Sequence, residues 1–305
     1  MYQNENEYCA LCFSDYNINE FNLCPDCNKH TRQKFYELAF KKIGEEEGDF
    51  DSITQRCQTL KHSLSKYSLP STPITHFNPE EHRLDEISET YFVFCDNVKD
   101  DEFVCVYVPG DGSCLYTSIT TLLSLSTTYA IELRVKTLCE LALNVDKYID
   151  KYGEYDNDLP KYISNDMIKS ETWGRAWDIF ALCTVLNFNI RTIYPNIPII
   201  MSEESPNPLA STETLENEMA INFNSTFTPL KSHINSTTVN TSVTTTNAIV
   251  SSTIPTINLL CSRGISAEHW FSNNEPIWES THYCPLLKPS IPVTTTNSSV
   301  IFSRK

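Results

Sequence analysis

The chain has 305 residues, a net charge of -16 and a pI of about 4.8, and 40% of its residues are hydrophobic. This length is enough for one large domain or two smaller ones with a substantial core. The acidic balance argues against broad binding to nucleic acid or to anionic membrane surfaces, which requires clustered Lys and Arg, and no apolar run is long enough to span a membrane.

The first residues, MYQNENEYC, are polar and acidic. They lack the basic and apolar regions of a secretory signal, so we expect an intracellular protein of the cytoplasm, the nucleus or both. The chain contains twelve cysteines. In a reducing compartment they predict a mixture of buried thiols, metal ligands and a reactive cysteine rather than a disulfide framework.

Four cysteines near the N-terminus have the spacing of a zinc site. Cys9 and Cys12 form one Cys-x2-Cys pair, and Cys24 and Cys27 form a second pair after eleven intervening residues. Each pair supplies two thiolates from one tight turn, and four thiolates complete a tetrahedral structural site. We therefore predict one structural Zn²⁺ in a knuckle over residues 1–31, with four unrelated buried cysteines as the alternative.

A helical region and a linker, residues 32–88, follow the knuckle. Apolar residues recur at helical spacing from Arg32 to Ile43, and a second helix is predicted from about Ser52 to Lys66. The proline-rich stretch SLPSTPITHFNPEEH is typical of a linker or of an extended segment that lies over a surface.

The next part of the chain has an α/β pattern. Two stretches rich in Val, Phe and Tyr, TYFVFCDNV and EFVCVYVPG, are predicted to be strands. Helices are predicted from Cys114 to about Ser124, from Ala130 to Val145 and in WGRAWDIFALCTVL. A strand in FNIRTIYP follows the last of these helices.

Residues 202–253 interrupt this pattern. They are rich in Ser, Thr and Asn and contain few large side chains. They cannot bury enough apolar surface to offset the entropy of ordering, so we predict a disordered insertion. Two strands, TINLLC and THYCPLL, are predicted after it, and a flexible tail is predicted for residues 291–305.

The turn before Cys114 offers two requirements of an activated nucleophile. The sequence VPGDGSC leads from a predicted strand, through glycines on both sides of Asp111, to a predicted helix that begins at Cys114. A helix N-terminus stabilises a thiolate. The glycines permit a backbone turn in which N–H groups around Gly112 and Ser113 form an oxyanion hole. An inert core cysteine is the alternative.

A cysteine nucleophile also needs a histidine that takes its proton. Of the seven histidines, five lie beside the knuckle, in the N-terminal region or in the insertion, which leaves His269 and His282. His282 begins an apolar strand that would hold the ring rigidly, whereas His269 lies in loop-like sequence, so we favour His282.

Together these motifs resemble those of the OTU (ovarian tumour) family of cysteine proteases. PGDGSCLYTSI is similar to the family's catalytic-cysteine motif, WGRAWDIFALCTVLNFNIRTIYP to its Trp-Gly segment with a helix and a strand, and WESTHYCPLL to its closing histidine strand. The resemblance covers about residues 90–290. IELRVKTLCELALN and THYCPLL look most like a divergent branch, the vertnin-like and transposon-associated OTU domains.

The resemblance implies an α+β fold of the papain-like cysteine protease type over residues 89–290, with a small central sheet flanked by helices. It implies a deubiquitinase that hydrolyses isopeptide bonds at the ubiquitin C-terminus. Cys114 would be the nucleophile, His282 the general base and acid, and Asp111 a further catalytic residue, without a cofactor in catalysis. Conjugates of ubiquitin or a ubiquitin-like protein would be the partners.

One position departs from the family pattern. Many members carry Asn or Asp two residues after the histidine to orient its ring, whereas this chain has Cys284. The orienting group must come from elsewhere, or activity is reduced. Two alternatives therefore stay open: an inactive OTU-fold module that binds a partner, and a mobile-element or viral protease that acts on another chain.

Overall fold

A computed structural model describes residues 8–12, 19–70, 72–95, 98–99, 102–153, 158–196, 224–230, 254–263 and 282–290. Within these ranges no helix is long and apolar enough to cross a membrane. The predicted tail and His269 lie outside the described residues.

Nine α-helices are present among the described residues. Their bounds are α1 Pro25–Asn28, α2 Arg32–Gly44, α3 Phe50–Leu60, α4 Glu86–Glu89, α5 Cys114–Leu122, α6 Ala130–Leu143, α7 Val145–Tyr152, α8 Leu159–Tyr162 and α9 Ala176–Leu186. Short 3-10 helices cover Ser63–Lys66, Phe92–Phe94 and Thr127–Tyr129, and a π-helical turn covers Ile163–Met167. The helices predicted to begin at Arg32, Cys114 and Ala130 are confirmed, whereas the helix predicted to reach Lys66 ends at Leu60.

A mixed sheet of five strands lies at the centre of the described residues. The strands are β1 Val104–Cys105, β2 Asn189–Ile193, β3 Thr226–Phe227, β4 Thr256–Ser262 and β5 His282–Leu287. Their order across the sheet is β1-β5-β4-β2-β3. The pair β2 and β4 is parallel, and the other neighbours are antiparallel. The predicted mixed α/β architecture with a central sheet is thereby confirmed.

Helix α5 packs directly against strand β5. All six residues of β5 are buried, and so are Leu115 and Ile119 on the inner face of α5. The Ser118 hydroxyl donates a hydrogen bond of 2.8 Å to the carbonyl of Tyr283 and so links the helix to the strand. Because both elements are fixed by the core, the side chains at their ends have defined positions.

The proline-rich segment after α3 lies over this pair of elements in extended form, as predicted. The Ile74 N–H donates to the carbonyl of Leu122 at the end of α5 at 2.8 Å. The Phe77 N–H donates to the carbonyl of Lys288 just after β5 at 2.9 Å. The segment therefore ties the N-terminal helices to the sheet through backbone hydrogen bonds.

A buried ion pair also joins the N-terminal helices to α6. The Glu132 carboxylate, 1% exposed, accepts two hydrogen bonds from the Arg32 guanidinium, at 2.5 and 2.7 Å. The Lys136 ammonium lies 3.3 Å from the same carboxylate. Burial lowers the pKa of Lys136, and the attraction of Glu132 opposes that shift. The Arg32–Glu132 pair fixes α2 on the side of α6, and Lys136, on α6 itself, adds a second cation beside the buried carboxylate.

The prediction of a strand in TYFVFCDNV is wrong. This stretch begins at Thr90, the C-cap of α4, and contains the 3-10 helix over Phe92–Phe94. The neighbouring side chains of Tyr91 and Phe92 are both buried, whereas Val93 is 76% exposed. Successive side chains of a strand point to opposite faces, so a helical turn is needed to bury two adjacent aromatic rings in one core.

Among the described residues, the segment predicted to be a disordered insertion contains a strand that the sequence did not predict. Most of residues 202–253 lie outside the described residues, but residues 224–230 are described and include β3. This strand pairs antiparallel with β2, with Phe227 opposite Ile190, and the Phe227 side chain is buried. The buried Phe227 ring packs against Phe180, 4.9 Å between ring centroids, and so joins this edge of the sheet to the core.

Candidate active site

The turn that precedes α5 brings Cys114 to the first position of that helix. Gly112 adopts a positive φ of 80°, and a Cβ there would lie 2.3 Å from the Glu171 carbonyl oxygen, so only glycine is tolerated. As the first helical residue, Cys114 has a backbone N–H without an intrahelical acceptor. Its side chain is 1% exposed, so a substrate reaches the sulfur only after a neighbouring group is displaced.

Asp111 shapes the turn. It is exposed, and its carboxylate accepts a hydrogen bond of 3.0 Å from the Ser113 N–H. Of the predicted oxyanion donors, the Ser113 N–H is therefore directed at Asp111. Asp111 and the Gly112–Ser113 peptide thus belong to the nucleophile turn, which we define as residues 109–113.

The ring of His282 lies between this turn and a buried carboxylate. A Cβ on Gly110 would lie 3.7 Å from Nδ1, so that nitrogen is beside the nucleophile turn. On the opposite side, Nε2 lies 3.7 Å from Oδ2 of Asp85, which is an ion-pair distance and longer than an ordinary hydrogen bond. The side chains of His282 and Asp85 are 6% and 7% exposed.

The surroundings of His282 favour the imidazolium. Burial of the ring lowers its pKa, but the interactions with the Asp85 carboxylate and with the Cys114 sulfur outweigh burial and raise the pKa from 6.5 to about 10. The effect of Cys114 on the ring indicates that the two side chains are neighbours. A protonated imidazole beside a thiol stabilises the thiolate, which is the reactive form of cysteine.

Asp85 was missed by the sequence analysis. It lies in the stretch assigned to the linker, and it is the N-cap of α4. Its carboxylate accepts hydrogen bonds from the Ser88 N–H at 3.1 Å and from the Ser88 hydroxyl at 2.7 Å. The sequence DEIS, with Asp three residues before Ser, was the available signal, because this pattern is typical of a helix start.

A second layer of buried hydroxyls holds Asp85. The Ser88 hydroxyl, which donates to Asp85, lies 2.9 Å from the Ser262 hydroxyl at the end of β4. Ser262 is opposite His282 in the sheet register. Burial opposes ionisation of Asp85, but the contacts with His282 and Ser88 outweigh it and lower the carboxyl pKa. The network therefore maintains a carboxylate behind the histidine ring.

Cys284 does not occupy the position of an orienting group. Its thiol is buried and donates to the carbonyl of Val106 at 3.2 Å. The carboxylate that faces the histidine ring comes instead from Asp85, on a different segment. The structure thus brings together Cys114, His282 and Asp85, and it leaves Asp111 on the outer side of the nucleophile turn.

The four N-terminal cysteines converge at one point. The sulfurs of Cys9, Cys12, Cys24 and Cys27 all lie within 4.8 Å of one another. The Cys12 and Cys24 sulfurs are 3.8 Å apart, which matches the sulfur separation of about 3.8 Å in a tetrahedral site with Zn–S bonds of about 2.3 Å. The cluster is therefore compatible with a tetrathiolate zinc site.

The backbone around these cysteines supports such a cluster. The Cys27 N–H donates to the Cys24 sulfur at 3.4 Å, as expected for a thiolate in a tight turn. The Ala10 N–H donates to the Asn22 carbonyl at 2.8 Å and links the two cysteine pairs. A zinc ion bound there would offset part of the thiolates' negative charge and join the pairs, and four protein ligands would leave no open position for catalysis.

Comparisons with known proteins agree with the OTU motifs. Residues 105–165 match the family model described as the OTU domain of vertnin. A comparison with curated proteins found no match. Among solved structures, the crystal structure of the viral OTU domain protease from Dera Ghazi Khan virus is similar, with 18% identity, a TM-score of 0.34, and coverage of 62% of this chain and 82% of that chain.

At that TM-score the structural likeness does not by itself establish a shared fold. The family match covers the nucleophile turn, α5 and α6. The OTU resemblance inferred from the residues is thereby confirmed over residues 105–165, which are similar to the OTU domain of vertnin.

The Asp85→Asn variant should change the pH dependence of stability. Because the folded-state pKa of His282 is raised, its contribution to stability is complete below pH 6.5 and is lost as the pH rises towards about 10. Without the carboxylate the folded-state pKa falls towards the unfolded value, so the loss of stability should be smaller and should be complete at lower pH. The measurement is the free energy of unfolding in denaturant between pH 6 and about 10.

The neighbouring exposed carboxylate provides a control, because Glu86→Gln should keep the pH profile of the unmodified protein. Identical pH profiles for Asp85→Asn and the unmodified protein would contradict the contact between Asp85 and His282.

The Cys24→Ser variant tests the metal site. Elemental analysis of the unmodified protein should give about one zinc per chain, and the variant should lose it, because a hydroxyl replaces one of four thiolates. Cys183→Ala, which removes a buried thiol in α9, should keep the metal. Full zinc content in Cys24→Ser would rule out the predicted ligand set.

Proposed function

We propose that this OTU-family, vertnin-like chain is a thiol-dependent protease that hydrolyses isopeptide bonds at the C-terminus of ubiquitin or a ubiquitin-like protein. Cys114 is the nucleophile, His282 is the general base and acid, and Asp85 orients the histidine. The single observation that supports this assignment best is the buried line of contacts from Cys114 through the His282 ring to the Asp85 carboxylate.

The reaction starts from a Cys114 thiolate paired with the His282 imidazolium, because the thiol proton has already passed to the ring. The sulfur then attacks the carbonyl carbon of the modifier's terminal glycine, and the carbonyl oxygen becomes an oxyanion near the Cys114 N–H. His282 returns its proton to the lysine amine as the carbon–nitrogen bond breaks, which leaves a thioester on Cys114. Water, deprotonated by His282, attacks the thioester and releases the free carboxylate and the thiol.

Asp85 has two effects in this scheme. It keeps the ring in the orientation in which Nδ1 is beside the nucleophile turn, and its negative charge stabilises the imidazolium that forms after proton transfer. Asp111 acts through the turn, since it restrains the Gly112–Ser113 peptide. The departure at Cys284 therefore leaves the chain with an orienting carboxylate from a different part of the sequence.

The substrate class follows from the family and is compatible with the charge of the chain. OTU domains generally act on ubiquitin conjugates, and a net charge of -16 favours a partner with a basic surface or tail. We further propose that the protein acts inside the cell and that its fold is the papain-like one, in which a helix carries the cysteine and a sheet carries the histidine. The zinc knuckle serves as a structural unit.

A second candidate function is a binding module without catalysis. The observation that favours it is the burial of the Cys114 side chain, of which only 1% is exposed. An enzyme must open this site for each substrate, whereas a binding module need not. The two functions differ in whether the sulfur reacts with a modifier whose C-terminus is positioned on the protein.

A ubiquitin carrying a C-terminal electrophile tests the proposal. The unmodified protein should form a covalent adduct at Cys114, and Cys114→Ala should form none. His282→Ala should slow labelling by about 100-fold or more, because it removes the general base. The rate is measured by gel shift, and the labelled residue is identified by mass spectrometry.

An exposed histidine provides the matched control. His76→Ala should label at the rate of the unmodified protein, because His76 lies on the surface in the extended segment. A folded protein that binds ubiquitin conjugates but is never labelled would support the binding module instead. If Cys114 is labelled only by probes made from other modifiers, the substrate is a conjugate of another protein and not of ubiquitin.

A further inference from the structure

A buried arginine behind the nucleophile turn connects that turn to a second loop. Arg134 of α6 is 3% exposed. Its guanidinium donates to the carbonyl of Gly112 at 3.0 Å, to that of Thr172 at 2.8 Å and to that of Lys169 at 3.0 Å. The central carbon of the guanidinium lies 4.7 Å from the centroid of the Tyr116 ring.

The second loop, residues 169–175, packs tightly against the nucleophile turn and α5. A Cβ at Gly112 would collide with the Glu171 carbonyl at 2.3 Å, and a Cβ at Gly174 would collide with the Leu115 side chain at 2.5 Å. Two glycines therefore allow the loop and the turn to touch, and the arginine bonds to both. Neither segment can move without disturbing the other.

These bonds fix one peptide group from both ends. The Gly112 carbonyl is held by Arg134, and the N–H of the same peptide, which belongs to Ser113, is held by Asp111 at 3.0 Å. The next N–H along the chain is that of Cys114, the donor available to an oxyanion in the proposed reaction. Its direction depends on the orientation of the peptide before it.

We propose that Arg134 is a positioning residue for catalysis, which orients the nucleophile turn so that the Cys114 N–H can bind the oxyanion. The inference rests on the proposed function and deepens it. A lysine cannot replace the guanidinium, because an ammonium is a single point and does not present the planar fork that reaches three carbonyls. The arginine touches neither the substrate nor the sulfur in this scheme.

Two small reagents separate this role from general damage to the site. Iodoacetamide is attacked by the Cys114 thiolate at its methylene carbon, iodide leaves, and no oxyanion forms. p-Nitrophenyl acetate is attacked at its carbonyl, an oxyanion forms, and p-nitrophenolate leaves as the acetyl thioester is made. Only the second reaction needs the oxyanion donor. Mass spectrometry identifies the modified residue, so that both rates are measured at Cys114. The rates of the Cys114→Ala variant give the background reaction of the other residues.

Arg134→Gln should lower the acylation rate by about 100-fold, the effect of a lost oxyanion donor, while the alkylation rate and its pH profile stay unchanged. Arg134→Lys should lower acylation by about 10-fold, since it keeps the charge and part of the hydrogen bonding. Arg191→Gln is the control, because that guanidinium on β2 is partly exposed and pairs with Glu102 at 3.9 Å away from the second loop, and it should keep both rates.

The outcomes are distinct. Acylation and alkylation that fall together in the Arg134 variants, or acylation that stays at the unmodified rate, would overturn the positioning role. An unmodified protein whose Cys114 is alkylated but never acylated would instead contradict the proposed function. Thermal unfolding checks that each variant is folded. If Arg134→Gln does not fold, the rates of Arg134→Lys decide the test.

Discussion

The packing of α5 against β5 is the constraint on which the candidate active site depends. The helix carries Cys114 at its first position, and the strand carries His282 at its first position. The buried face of α5 and the fully buried strand leave little freedom for either end to shift. The proposed nucleophile and base are thus positioned by the hydrophobic core.

The third member of the site depends on a different part of the chain. Asp85 begins a short helix in the segment before the sheet, and Ser88 and Ser262 hold its carboxylate behind the histidine ring. Because these groups are buried, an uncompensated charge would be costly, and pairing the carboxylate with an imidazolium offsets that cost. The same pairing is what makes His282 suited to activate a thiol.

Local patterns in the sequence predicted the elements that carry the chemistry. The change from alternating apolar residues through a glycine turn to helical spacing located the start of α5, and the apolar stretch HYCPLL located β5. Asp85 could not be found this way, because its role arises from contact between segments far apart in sequence. Two elements were not predicted because tertiary burial decided their conformation. They are the helical turn at Tyr91 and Phe92 and the strand around Phe227.

The central claim is that His282 is an imidazolium between the Cys114 sulfur and the Asp85 carboxylate, and NMR titration of the labelled ring in the intact protein tests it most directly. The account predicts that the ring stays protonated at neutral pH and loses its proton near pH 10, and that Cys114→Ala lowers this pKa. A ring that is neutral at pH 7 in the unmodified protein, with a titration that Cys114→Ala leaves unchanged, would contradict it.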